Sequence, residues 1–443
     1  MWDSELREEV RRALGDAFLA GDWTGEGLTR RARSVVSVGV RAAWLPRLVQ
    51  RTLEVYPERP ADRPREFHAW LAYEIWPISQ RVRRVAVIGR LIPIADMGPM
   101  RWPVPRIATT ADLAAFLSLT LGELAWLGDL RGLERTVPDE RLRNYRYRWI
   151  PRDRGVPRLL ECPKPLLKET QRQVLRGILE LIPPHPDAQG FRRGHSPLTN
   201  ARRHIAQEVV IGFDVEDFFA SVAASRVYGT FRSAGYPEGV AHHLTALCTN
   251  IVPLRERTRL EPTASARDVG RQHRLHRRLA APHLPQGSPT SPALANLAAF
   301  GLDRRLSALA AASGASYSRY ADDLTFSGSK RLLASAKPFR ALVAEIVEDE
   351  GFRLNRRKSR LTTRAGRQAV TGIVVNEHPN LGRREYDALR ATLHDAALRG
   401  HAHANRAGLP DLRSHLLGRI GWFEQINPAR GAKLRRMFAA IEW

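Results

Sequence analysis

Two adjacent aspartates, Asp322 and Asp323, stand inside a stretch, residues 317–326, that reads as two short strands and a tight turn. Like charges crowded at one turn repel, and a bound divalent cation with a preference for hard oxygen ligands is the usual relief. Another carboxylate, Asp214, ends the compact apolar strand at 209–213 and is followed by Val215-Glu216-Asp217-Phe218-Phe219. Three aspartates converging from two strands could hold two metal ions about 3.5–4 Å apart, the arrangement for in-line phosphoryl transfer. One ion would lower the pKa of an attacking hydroxyl and the other would steady the leaving phosphate. For the dipeptide alone, an acidic turn without metal stays open, because Asp is common in turns.

Between the two carboxylate sources lies Leu284-Pro285-Gln286-Gly287-Ser288-Pro289-Thr290-Ser291-Pro292. By composition it is a loop. A predicted hairpin over 145–160 carries Arg152 and Arg154 in its turn and Arg158 on its return strand, and guanidinium groups suit bidentate phosphate contact. Asn355-Arg356-Arg357-Lys358 follows the second carboxylates. On its own, Lys358 reads as a surface lysine. Residues 255–278 form a basic insert, either a solvated loop or a nucleic-acid contact.

The elements that must position these groups are mixed. Helical spacing marks 5–19, 66–75, 166–182, 339–346 and 412–423, and a helix through Leu302, Leu306 and Leu309. Residues 110–127, with Thr110 or Asp112 as cap, superficially suggest a helix-turn-helix; a plain helical pair packing on the next domain is the simpler reading. The chain has 443 residues, 70 Lys+Arg against 46 Asp+Glu and a formal charge of +24. That excess points to nucleic acid as partner, since each neutralised phosphate releases a counterion. The basic residues are spread along the chain, and the most apolar early stretch, 34–50, carries Arg41 and Arg47 and is too short to span a bilayer, so no membrane partner is expected. Two distant cysteines, Cys162 and Cys248, give no zinc ribbon or disulfide framework, and a cytoplasmic setting fits.

With these pieces in order, the chain resembles the reverse transcriptase family. Tyr320-Ala321-Asp322-Asp323 is similar to its Tyr-x-Asp-Asp signature, Asp214 to its first metal-binding aspartate, and 284–292 to its Leu-Pro-Gln-Gly-x-x-x-Ser-Pro element. The resemblance, which covers 106–443, implies an α+β right-hand polymerase, with fingers and palm over 106–376 and a helical thumb over 377–443; residues 1–105, an N-terminal helical extension, lie outside it and their role is open. It implies two magnesium ions on Asp214, Asp322 and Asp323, and a nucleotide site at Arg152, Arg158, Phe219 and Gln286. Phe219 would exclude a 2′-hydroxyl and so select deoxynucleoside triphosphates, a core aromatic being the alternative. Gly287 would let the backbone approach the template-primer, and Lys358 would serve the pyrophosphate.

Two shorter matches resemble the retron branch of that family: Asn200-Ala201-Arg202-Arg203-His204 and Val370-Thr371-Gly372. That resemblance implies a cognate structured noncoding RNA as template and primer, initiation from a guanosine 2′-hydroxyl, a branched RNA–DNA product, and antiphage defence with a separate effector protein. Asn200, His204, Val370, Thr371 and Gly372 are then expected to bind the RNA; a helix cap, a satisfied buried histidine and an ordinary strand end are the alternatives. Another bacterial reverse transcriptase (intron-encoded, CRISPR-associated or from a different defence system), a non-catalytic RNA-binding scaffold and, more distantly, a DNA-binding regulator are the competing functions.

Overall fold

The computed structural model describes residues 2–37, 43–79, 86–152, 155–260 and 266–443. Arg154 and Arg41 lie outside them. The chain forms two compact units, Met1–Pro183 with Val222–Leu294, and Pro184–Ser221 with Ala295–Trp443. The boundaries expected at 105 and 376 do not coincide with this division.

In the first unit, four helices, Trp2–Leu19, Gly25–Val35, Trp44–Val55 and Pro64–Ser79, enclose an apolar core containing Leu14, Phe18, Leu28, Leu45, Phe67 and Leu71. This extension is tied into the rest of the unit. Arg232 donates to the Asp62 carbonyl (2.8 Å) and carboxylate (3.0 Å), and Glu238 accepts the N–H groups of Arg65 (2.7 Å) and Glu66 (3.3 Å) at the start of the fourth helix. A carboxylate there satisfies amides that have no partner within their own helix.

Residues 110–127 break into Thr110–Phe116 and Leu121–Leu127, bent by 87°. Thr109 and Thr120, each with an acidic residue three positions on, close two capping boxes, so the cap is Thr109 and not Thr110. Both helices pack on Glu238–Cys248, the plain helical pair. Strands β1 (Tyr145–Ile150) and β2 (Arg158–Pro163) make the expected hairpin, followed by helix Pro165–Gly177. The basic insert is mostly helical, Leu254–Arg257 and Ala266–Leu279.

The second unit is built on an antiparallel sheet, in order β4-β5-β3-β6, of β3 (Val209–Asp214), β4 (Ala315–Tyr320), β5 (Asp323–Gly328) and β6 (Arg360–Thr363). β3 lies between two partners and every residue in it is buried, which accounts for its unbroken apolar run. Helices Phe300–Ala312 and Ala336–Asp349 supply the buried Leu302, Leu306, Phe339 and Val343. A two-residue turn joins β7 (Ala369–Val370) to β8 (Ile373–Val374), and helices Arg383–Arg399, His401–Ala404, Leu412–Ile426 and Pro428–Ala439 follow around a core of Leu389, Leu393, Leu416, Ile420 and Leu434. Among the described residues no single helix is long and apolar enough to cross a membrane. Cys162 and Cys248 are both free.

Candidate active site

Register brings the three aspartates together. Asp214 ends β3 directly opposite Asp323 at the start of β5, and the N–H of Val215 donates to the Asp322 carbonyl at 2.8 Å. β4 and β5 are joined by Ala321 and Asp322 alone, and Ala321 takes the left-handed conformation at φ 57°. Burial, followed by the neighbouring charges of Asp322 and Asp214, pushes the Asp323 carboxyl up to about 6.

Cations offset this crowding. Lys358 Nζ lies 2.5 Å from Asp214 Oδ1, and Asn355 fixes the same residue by side chain (3.1 Å to Oδ2) and by backbone (2.7 Å to the carbonyl). Among the described residues no group of three or more potential ligands closes into a ready-made metal cage. The donor set still fits a divalent cation: three carboxylates meet where β3 ends and β4 turns into β5, and like charges so placed are relieved by a bound cation with hard oxygen ligands.

Phe219 sits just past the end of β3 in helix Phe218–Ser221. It is half-exposed and edges on Phe191 and Phe218, with ring centroids 5.9 Å apart in each case. Phe218 is the core aromatic of the pair, at 4% exposure, with the Arg319 guanidinium 5.4 Å above its ring.

The sequence reading missed what holds the Ala321–Asp322 turn. Arg319 is wholly buried and pairs with Asp303 through two bonds, 2.8 and 2.6 Å. It also donates to Asn296 (2.9 Å) and to the Ala321 carbonyl (3.2 Å), and Asn296 donates to the Gly190 carbonyl at 2.9 Å. Gly190 in turn lies so close to the turn that a Cβ would come within 2.6 Å of the Ala321 nitrogen. The signal was present: Asp303 sits beside Leu302 on an otherwise apolar helix face, where a lone carboxylate needs a partner.

Arg152, Arg158 and Gln286 belong to the first unit. Arg158 is exposed at the head of β2, opposite Ile150, and Arg152 is half-exposed just beyond β1. Gln286 is half-exposed, and its carbonyl accepts the Glu161 N–H at 2.8 Å. Gly287 adopts φ 133°, and a Cβ there would stand 2.8 Å from the Glu161 carbonyl oxygen. The close approach that this glycine makes within the protein is therefore to β2. Ser288 donates to Gln171 (2.8 Å) and Ser291 to the Pro285 carbonyl (2.7 Å), bracing the loop.

The two retron-like motifs meet. Helix Pro197–Arg202 packs against β7 and β8, and the Thr371 hydroxyl donates to the Pro197 carbonyl at 3.0 Å. Thr371 and Gly372 form the β7–β8 turn with φ 49° and 83°, the combination a two-residue hairpin demands, and Gly372 is exposed. Direct RNA contact by the other three is corrected. Val370 is fully buried in the apolar core, and Asn200 is enclosed in its helix with an amide that has no hydrogen-bond partner among the described residues. His204 is fully buried, its Nδ1 and Nε2 each 2.7 Å from a serine hydroxyl, Ser327 on β5 and Ser318 on β4. It ties together the two strands that carry Asp322 and Asp323.

The sequence pattern described as reverse transcriptase (RNA-dependent DNA polymerase) matches residues 150–389. The retron Mx65 reverse transcriptase of Myxococcus xanthus is 38% identical over 336 residues, 76% of this chain and 72% of that protein. The retron Mx162 enzyme of the same organism is 35% identical across 99% of this chain and 92% of its own length. The retron Ec86 enzyme of Escherichia coli is 33% identical over 57% of this chain and 70% of its length. Together with the aspartates that β3, β4 and β5 bring to one end of the sheet, these similarities place the chain in the retron reverse transcriptases, RNA-directed DNA polymerases with a mixed helix and antiparallel-sheet fold.

Proposed function

We propose that this enzyme copies a cognate structured noncoding RNA into DNA, starting from a guanosine 2′-hydroxyl of that RNA, and so makes the branched RNA–DNA molecule of an antiphage retron with a separate effector. The observation that carries the catalytic part is the Asp214–Asp323 pairing with Asp322 adjacent in the turn. Asp214, Asp322 and Asp323 would hold two magnesium ions, which when bound would activate the attacking hydroxyl and neutralise the pyrophosphate. Asn355 would orient Asp214, and Lys358, whose ammonium lies beside that carboxylate, would pass a proton to the departing pyrophosphate. Arg152, Arg158 and Gln286 would bind the deoxynucleoside triphosphate, and the half-exposed Phe219 ring would exclude a ribose 2′-hydroxyl. The Thr371–Gly372 turn would touch the cognate RNA, with Asn200, His204 and Val370 holding the elements beneath it. Fingers and palm over 106–376 and thumb over 377–443 describe the roles of these segments.

The test is DNA synthesis by Asp322→Asn. Loss of incorporation with RNA binding retained is expected, because the carboxylates serve chemistry more than docking. Chelation of divalent cations should reproduce that loss in the unsubstituted enzyme. Near-normal synthesis by the variant would exclude the assignment. Branching is read from the product: a 2′–5′ linkage at one guanosine is expected, and a product joined only to a 3′-end would exclude it.

A further inference from the structure

The first unit contains a second concentration of charge. A cavity of about 360 Å³ opens where the basic insert meets the start of β1. Arg141, Arg143, Arg146, Lys164 and Arg259 line it, against the two carboxylates Glu140 and Glu256. Five cations against two anions leave a surplus of three positive charges on the lining; at its edge Arg141 also meets Asp139 at 3.7 Å and Arg255 adds a further cation, so the surplus of three stands. Glu256 is buried and already held by Arg259 (2.7 Å), Arg143 (3.6 Å) and Arg255 (3.6 Å), and Glu140 is bound by Arg255 at 2.6 Å. Lys164 Nζ donates to two backbone carbonyls, those of Glu140 (2.5 Å) and Arg141 (3.1 Å), groups that carry no charge to cancel its own.

The site is built, not a loose surface patch. Arg143, 4% exposed, is locked by two bonds from its guanidinium to the Val137 carbonyl (3.2 and 3.0 Å). The Trp149 indole donates to the Glu256 carbonyl at 3.0 Å and so anchors the insert to β1. The rim is open, with the Arg141 and Arg259 side chains 92% and 55% exposed. A fixed concave surplus of guanidinium groups fits a phosphate oxyanion.

We propose that this cavity binds a phosphodiester of the structured RNA, at a site separate from the aspartates and used for holding the RNA, not for extending DNA. The proposal rests on the reading of the enzyme as an RNA-copying polymerase. A chain of formal charge +24 already favours polyanions, and the cavity gives part of that attraction a fixed address.

The experiment uses the full chain with Arg141→Gln, Arg146→Gln and Arg259→Gln combined. A control of equal charge carries Arg331→Gln, Lys337→Gln and Arg340→Gln, all exposed on helices Lys330–Ala334 and Ala336–Asp349. Binding of a 40-nucleotide RNA hairpin is measured from 50 to 300 mM salt, and extension of a short DNA primer annealed to an RNA template is measured in parallel. The cavity variant should bind the hairpin about tenfold more weakly at physiological salt, with a salt slope shallower by about 1. Its kcat on the annealed primer should match that of the unsubstituted enzyme. A hairpin affinity and slope equal to the control's would overturn the proposal. So would unchanged hairpin binding accompanied by loss of inorganic pyrophosphate binding, which would assign the cavity to free polyphosphate. Absence of primer extension by the unsubstituted enzyme would instead overturn the polymerase reading and is scored separately.

Discussion

Replacing His204 with Gln separates a histidine that holds the sheet from one that reads RNA. Burial, followed by the nearby Arg203 charge, pushes the imidazole down to about 3 from an ordinary 6.5. The ring is therefore neutral in the folded protein, donating through one nitrogen and accepting through the other between Ser318 and Ser327. A base whose folded pKa is depressed contributes stability that is full above 6.5 and lost as pH falls from 6.5 toward 3, because only the unfolded chain takes up the proton. At pH 5 the loss is about 1.36 kcal/mol for each of about 1.5 pH units, or about 2 kcal/mol. At pH 7.5 the variant should be less stable than the parent by about 1–3 kcal/mol, the worth of two buried hydrogen bonds. That gap should close, or reverse, by pH 5. Melting curves of both proteins at pH 7.5, 6 and 5 give the answer, since about 2 kcal/mol corresponds to several degrees. A gap independent of pH would refute the buried neutral ring. Selective loss of cognate RNA binding, with extension of an annealed primer and melting both unchanged, would refute the structural role.

Phe219→Val should admit ribonucleotides, lowering discrimination at least about tenfold, or about 1.4 kcal/mol; unchanged incorporation ratios would return Phe219 to a packing role. Gly190→Ala should slow single-turnover extension at least about tenfold, because its methyl would have to displace the Ala321 backbone, while RNA affinity stays level. Arg319→Met should lower stability by about 3–5 kcal/mol, since it leaves Asp303 buried without its cation, and denaturant unfolding reads this directly. Thr371→Asn, a residue that accepts left-handed backbone more readily, should keep stability within about 1 kcal/mol of the parent yet weaken binding of the cognate RNA.

Local patterns carried β3, the hairpins of β1–β2 and β4–β5, and the position of the three aspartates, because a two-residue period and a tight turn are read within ten residues; β6 and the short β7–β8 pair, only two to four residues each, were not read. The Leu-Pro-Gln-Gly loop was legible as a motif, but its support was not: nothing in 284–292 announces that Gly287 must lie against Glu161, more than a hundred residues earlier. The Arg319–Asp303 pair was missed although Asp303, a carboxylate on an apolar helix face, called for a cation: the tertiary contact, not the local pattern, names Arg319 as that cation. Asn200 and His204 were singled out correctly as unusual residues. Their expected task was displaced by burial, which the alternation of a short helix end does not reveal. The helical pair over 110–127 was legible, but not the position of its turn, because Ser118, which takes the left-handed conformation at φ 54°, is not a glycine.

The ties from Asp62, Arg65 and Glu66 to Arg232 and Glu238 bear on how this enzyme can be trimmed for use as a tool. The family match begins at residue 150, which invites a shortened version that starts near there. Such a version would strip Arg232 of the Asp62 carboxylate, remove the N–H groups that Glu238 accepts, and uncover the part of Glu238–Cys248 on which Thr110–Phe116 and Leu121–Leu127 pack. Its penalty would be in solubility and yield before it was in catalysis.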